Sequence, residues 1–430
     1  MGKYDFDEII TRRGTGCVKW DAESPAGPID EEVIPMWVAD MDFRAAPEIQ
    51  EAIRKRLDQG VFGYTRVPDS YYRSAIDWWQ RRRGWHTEKE WYLPIAGLVP
   101  AMSVIIKALT QYEVVDGKVV ERADRGRGPM GELPKVIIQN PAYNCFFSTV
   151  KDNLCELSEN RLIYDTEGDQ ATWYINFEDL EKRAADPMAK ILLFCNPHNP
   201  CGRVWHREEL QKVDEICRRH GVIVISDEIH CELEMPGSHF IPMASLSKES
   251  QANTITLNSP SKSFNIAGLG ISNIITSNPE WKALIDRAMH IGQLCELNPF
   301  GVVALEAAYD HGETWLNELN EYLWGNYRLL CNRFEEEIPE IPVTRLEGTY
   351  LAWIDVRSLC MSADDIENSL IENEKVWINS GVMYGRDGFM RINLACPRAR
   401  AAEGIERMIR GFKRLMLQNL ATVSTMTLTQ

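Results

Sequence analysis

Four short apolar runs constrain this chain most: KVIIQ (135–139), KILLF (190–194), VIVIS (222–226) and TITLN (254–258). Each is near the length of a buried strand. Their continuous apolar character suits parallel strands covered on both faces. Between the second and third runs, Leu210, Val213 and Ile216 recur three apart within 207–219, as a helix laid on a sheet would place them. That βαβ succession predicts a sheet parallel in large part. Further helices are expected over 47–59, where Ile49, Ile53 and Leu57 recur at four-residue spacing, and over 70–83 and 100–111. Beyond about residue 290 the pattern is mostly helical, with one long candidate over 315–336. TYLAWIDV (349–356), GFMRINL (388–394) and a final helix at 401–415 predict a smaller α+β domain.

At 430 residues, 44% hydrophobic and 26% charged, the chain can bury a large core and is too long for one comfortable domain. The expected division is a large α/β domain over 46–290 and a small α+β domain over 291–430, which residues 1–45 join. A formal charge of -16 would repel nucleic acid and anionic membranes, so neither is an expected partner. No segment has the length of a membrane span, and the amino terminus lacks a signal-peptide core. Eleven cysteines without a CxxC pair suit a reducing cytoplasm better than a disulfide framework or a zinc site. Gly126-Arg127-Gly128-Pro129-Met130-Gly131 satisfies GxGxxG but precedes a strand and contains proline, so it lacks the context of a dinucleotide site. Residues 113–134 read as an inserted surface loop, and the last ten residues as a frayed tail.

Ligands of open α/β sheets sit beyond the carboxyl ends of the strands, and three polar clusters stand there. KILLF leads into Asn196-Pro197-His198-Asn199-Pro200-Cys201-Gly202, VIVIS into Asp227-Glu228-Ile229-His230, and TITLN into Ser259-Pro260-Ser261-Lys262-Ser263-Phe264-Asn265. Singly these are a turn, a helix cap and a solvated loop. Together on one rim they offer an amine for an imine, a carboxylate to keep a pyridine nitrogen protonated, and an amide to steady a phenolate oxygen.

With those residues the chain, from about 30 to about 410, resembles the fold-type I pyridoxal-phosphate enzymes of the class I/II aminotransferase superfamily. The resemblance implies that Lys262 forms the imine with pyridoxal 5'-phosphate, that Asp227 pairs with the ring nitrogen, and that Asn199 bonds the phenolate oxygen. His230 stands where many relatives carry a tyrosine near that same oxygen. Tyr143 matches the aromatic that stacks on the ring, and Arg391 the guanidinium that binds the substrate carboxylate. For the phosphate, backbone groups at Leu98 and Val99 open a helix, Ser259 and Ser261 add hydroxyls, and Tyr64 matches a residue reaching the neighbouring subunit's phosphate. A homodimer with shared sites is therefore expected.

Ile34-Pro35-Met36-Trp37-Val38-Ala39-Asp40-Met41-Asp42-Phe43, Ser226 to His230, Ser261 to Asn265 with Gly268, and Thr349 to Trp353 are similar to the MalY/PatB group of cystathionine β-lyases and cysteine-S-conjugate lyases. That likeness implies β-elimination of a thiol from an L-cysteine conjugate, with Lys262 moving the protons. Ser380-Gly381 departs from the Pro-Gly often found there, and Cys201 from a common threonine. An aminotransferase is the alternative enzyme, and a non-catalytic regulatory or interaction protein the alternative without chemistry.

Overall fold

The four apolar runs lie side by side at the centre of a seven-stranded sheet. In a computed structural model that describes residues 2–25, 27–28 and 30–427, the sheet strands in chain order are β1 (Tyr92–Ile95), β2 (Lys135–Asn140), β3 (Glu156–Arg161), β4 (Ala189–Cys195), β5 (Ile223–Asp227), β6 (Thr254–Asn258) and β7 (Ser272–Ile275). Their spatial order is β1-β7-β6-β5-β4-β2-β3. From β3 to β6 all neighbours are parallel, whereas β7 runs antiparallel between β6 and β1. The helix Arg207–His220 makes the crossover from β4 to β5 and buries Leu210, Val213 and Ile216. Strand β6 is buried throughout, as are the last four residues of β5; with both faces covered, β5 is apolar up to Ser226, while in β6 Thr254, Thr256 and Asn258 are buried alternately with Ile255 and Leu257.

The expected helices form over Pro47–Asp58, Asp69–Arg83 and Leu98–Gln111. Of the predicted stripe Ile49, Ile53 and Leu57, only Ile49 is fully buried, and Leu57 is exposed. Helix Pro299–His311 packs on the first two of these helices, tying residues beyond 290 back to the segment before 90.

A second sheet is antiparallel in the order β8 (Leu351–Asp355), β10 (Phe389–Asn393), β9 (Asn379–Ser380). The amino-terminal strand Ile34–Pro35 pairs in parallel with Val376–Trp377, so the start of the chain joins the carboxyl-terminal structure. The final helix spans Arg398–Thr427, longer than expected at both ends. Most of the supposed tail thus continues the helix, and residues 428–430 lie outside the described residues. The 113–134 region also departs from a plain loop. Its first part is a hairpin, Tyr112–Val115 with Lys118–Glu121, turning at Asp116-Gly117 where both residues have positive φ.

Candidate active site

Register brings the strand-end clusters together. Asp227 closes β5 opposite Cys195 on β4 and Leu257 on β6, so the Asn196 turn and the Lys262 loop emerge on either side of it. They open into a cavity of about 420 Å3 lined by Leu98, Val99, Tyr143, Asn199, Asp227, His230, Ser261, Lys262 and Arg391. Nine of the predicted site residues therefore share one space.

Two of the predicted residues stand elsewhere. Ser259 is buried behind the loop: its hydroxyl donates to the Ile271 carbonyl (2.6 Å) and accepts from the Ser261 N–H (3.0 Å). With its proton spent there and no place in the cavity wall, it braces the Lys262 loop instead of offering a donor to a phosphate. Tyr64 is 95% exposed and does not line the cavity of its own chain.

Residues that the sequence reading passed over complete the wall. The segment Trp37-Val38-Ala39 crosses from the amino-terminal strand to the cavity and is held by side-chain amides. Asn393, ending β10, donates to the carbonyls of Val38 and Asp40, and Asn265 donates to those of Met41 (2.9 Å) and Phe43 (2.8 Å) while accepting from the Met41 N–H. Asn265 does so from a left-handed conformation (φ 55°), which asparagine tolerates. Asn379 lies directly across from Arg391 in the β9–β10 register, and Met383 and Tyr384 follow in the next turn.

Burial sets the charge states. The Lys262 amine donates to the Ala39 carbonyl (2.7 Å), and desolvation lowers its pKa below the ordinary lysine value, against the pull of Asp40. Asp227 accepts one hydrogen bond, from the Ile229 N–H (3.2 Å), and its Oδ2 has no hydrogen-bond partner among the described residues. Burial raises its pKa to about 6. His230 is buried with Nδ1 unpartnered, and desolvation holds it neutral, well below the ordinary histidine pKa. Arg391 is 3% exposed; it donates to Asn199 Oδ1 (3.0 Å) and to the Trp37 carbonyl (2.8 Å), lies 4.6 Å from the Tyr384 ring centroid, and leaves Nε unpartnered. At the other end of the cavity, Gly97 precedes the helix Leu98–Gln111, whose first N–H groups have no partner within the helix.

The donor set can be read as a ligand in negative. Free N–H groups at a helix start suit a phosphate, a buried carboxylate without a salt-bridge partner suits a cationic ring nitrogen, and a buried amine with a lowered pKa suits an aldehyde. A forked guanidinium at the far end suits a second carboxylate. The residues present thus fit pyridoxal phosphate together with an amino acid.

Comparison with known proteins agrees. Residues 134–408 match the family described as aminotransferase class I and II. Cystathionine beta-lyase PatB of Bacillus subtilis is 37% identical over 407 residues, covering 94% of this chain and 98% of that protein. Protein MalY of Escherichia coli is 32% identical, covering 95% and 99%. The crystal structure of cystalysin from Treponema denticola, which contains a pyridoxal 5'-phosphate cofactor, superposes with a TM-score of 0.87 at 34% identity, covering 96% of this chain and 99% of that one. With a sheet rim that gathers Asn199, Asp227 and Lys262 against Arg391 and a likeness running nearly end to end, the chain belongs to the class I and II aminotransferase family.

Proposed function

We propose that this chain is a pyridoxal-phosphate-dependent carbon–sulfur β-lyase, cleaving L-cystathionine or related L-cysteine S-conjugates to a thiol, pyruvate and ammonia. The observation that carries the reading is the buried Lys262 amine in one cavity with the unpaired Asp227 carboxylate and the Arg391 fork. Full-length likeness to a relative named cystathionine beta-lyase chooses elimination over transamination.

When bound, the cofactor supplies an electron sink for the bonds at Cα of an attached amino acid. The chain supplies the rest. Arg391, preset by Asn199 and the Trp37 carbonyl, clamps the α-carboxylate in two parallel hydrogen bonds. With the cofactor in place, Asp227 would keep its ring nitrogen protonated, Asn199 and His230 would serve its phenolate oxygen, and Tyr143 would stack on its ring. The N–H groups of Leu98 and Val99, with the Ser261 hydroxyl, would hold its phosphate. Lys262, its pKa lowered by burial, would take the Cα proton and return a proton to the departing sulfur, with the Ala39 carbonyl orienting its nitrogen. The Cα–H and Cβ–S bonds break, the sulfur gains a proton, and one water hydrolyses the freed 2-aminoacrylate. One conjugate and one water thus give one thiol, one pyruvate and one ammonium ion.

The same reading makes residues 46–290 the cofactor-binding domain and 1–45 with 291–430 the smaller domain, supported by the pairing of Ile34–Pro35 with Val376–Trp377. It also makes the enzyme a cytoplasmic homodimer with shared sites. Exposed Leu57, Val61, Phe62 and Tyr64, clustered in one short segment, support such an interface, and Tyr64 would there reach the phosphate of the second copy. Among the described residues no helix is long and apolar enough to cross a membrane.

The test is incubation of the holoenzyme with L-cystathionine and with S-propyl-L-cysteine, with and without a keto acid. Thiol and pyruvate released without keto acid are expected. Strict dependence on a keto acid, with no thiol formed, would refute elimination in favour of transamination. A protein that binds no cofactor would leave only the interaction role.

A further inference from the structure

Which sulfur substituent leaves depends on the part of the cavity that neither the cofactor nor the amino-acid end occupies. We propose that, among the conjugates this lyase cleaves, those with uncharged, apolar S-substituents are preferred, and that conjugates ending in a second carboxylate, L-cystathionine included, are cleaved more slowly. The inference rests on the lyase reading.

The charges of the cavity are already committed. Among the lining residues this chain contributes, the lysine, arginine, aspartate and histidine side chains are Lys262, Arg391, Asp227 and His230. Lys262 receives the amino group, Arg391 the α-carboxylate and Asp227 the ring. Fixing an amino acid at its amine and its carboxylate leaves the side chain one direction from Cα. The lining left for it to meet includes Trp37, Val38, Asn144, Asn379, Met383 and Tyr384.

Several polar groups of that wall are engaged within the chain itself. Trp37 donates its indole N–H to the Lys19 carbonyl (3.1 Å) and is stacked on Trp377 at a centroid distance of 4.0 Å and an interplanar angle of 16°, so it offers the cavity a fixed carbon surface. The Tyr384 hydroxyl accepts from Asn379 Nδ2 (2.8 Å), whose amide also donates to the Trp37 carbonyl (3.1 Å). Met383, 42% exposed, places an unbranched thioether at the mouth. Arg12, which reaches the residues just beyond the Trp37–Ala39 segment, is held by Asp40 (2.6 Å) and Asp42 (2.7 Å).

A carboxylate brought against this wall gives up water without gaining a counter-charge. An alkyl or aryl group there is removed from water and gains by it. The cavity thus selects on the charge of the leaving group as well as on its size.

The experiment compares S-propyl-L-cysteine with S-carboxymethyl-L-cysteine, close in size and differing in charge, together with L-cystathionine. Holoenzyme kcat/KM is measured for each, and the dissociation constants of the first two are measured by calorimetry on cofactor-loaded Lys262→Ala protein, so that binding is read apart from turnover. The S-propyl conjugate is expected to exceed the S-carboxymethyl conjugate by at least about tenfold in both readouts. Met383→Arg is expected to narrow that ratio by improving the anionic substrate. Equal values, or a preference for S-carboxymethyl-L-cysteine or L-cystathionine, overturn the inference and leave the lyase standing. No thiol or pyruvate from any of the three overturns the lyase reading and the inference with it.

Discussion

Asp227→Asn is expected to move two properties in opposite directions: the apoprotein becomes more stable near neutral pH while its hold on the cofactor weakens. In the cofactor-free chain Asp227 is 5% exposed, accepts one hydrogen bond, and has its pKa raised from 3.8 to about 6 by desolvation. At about 1.4 kcal/mol per pH unit, that rise corresponds to ~3 kcal/mol of stability that is present below pH 4 and lost as pH climbs through 6. The sign follows from proton counting: between those values the folded chain binds more protons than the unfolded one, so stability falls with rising pH. Asparagine keeps an acceptor for the Ile229 N–H and removes the titration. Loss of the favourable influence of Asp227 on Lys262 offsets part of the gain. Urea unfolding of wild-type and variant apoprotein at pH 4, 6 and 8 should show curves that coincide in acid and separate by up to ~3 kcal/mol in base. A variant less stable than wild type at pH 8, or a difference constant with pH, would refute the idea that this carboxylate is kept for a ligand at the expense of the fold.

Other substitutions test other parts of the account. Arg391→Lys can satisfy Asn199 Oδ1 or the Trp37 carbonyl but not both with one fork, and steady-state kinetics should show KM for the amino acid rising at least about tenfold, with cofactor absorbance unchanged. Glu228, pushed up to about 8 by burial and accepting from Ser226 Oγ (2.8 Å) and the Met243 N–H (3.0 Å), is protonated at neutral pH. Glu228→Gln should therefore change thermal stability little at pH 7 and remove the loss of stability that wild type suffers as pH rises through 8. Arg203, 2% exposed, joins Glu347 (2.7 Å) and Glu209 (2.9 Å), so Arg203→Ala should cost about 3–5 kcal/mol in denaturant unfolding by leaving buried Glu347 without its cation.

How much of this was legible in the sequence differs from element to element. The parallel strands could be read because both faces are covered, and the rule that ligands gather at their carboxyl ends located Asn199, Asp227 and Lys262 before any geometry. Strands β1 and β7 escaped notice because each is four residues long, and Pro94 sits inside β1. The hairpin at Asp116-Gly117 carried its signal in the open, an Asp-Gly between valine pairs, and was masked by the polar, glycine-rich residues that follow. Trp37 and Ala39 lie in an apolar run without a charged group of its own to mark a site, and what brings it to the cavity is distant in sequence: the amides of Asn265, Asn379 and Asn393 and the side chains of Lys262 and Arg391 on its carbonyls and those that follow. Asn379, Met383 and Tyr384 had no motif, because their place depends on cross-strand register with Arg391. Ser259 failed the other way: its position beside Lys262 suggested a phosphate donor, while the loop itself uses the hydroxyl.

The central claim is that Lys262 is the residue to which the cofactor is joined, and one measurement addresses it directly. Holoenzyme is reduced with borohydride, digested, and mapped by mass spectrometry for the peptide that carries the pyridoxyl group. The account predicts the label on Lys262 alone, in the segment Ser259 to Asn265, and none in Lys262→Ala. Label on another lysine, or unchanged label in that variant, would contradict it.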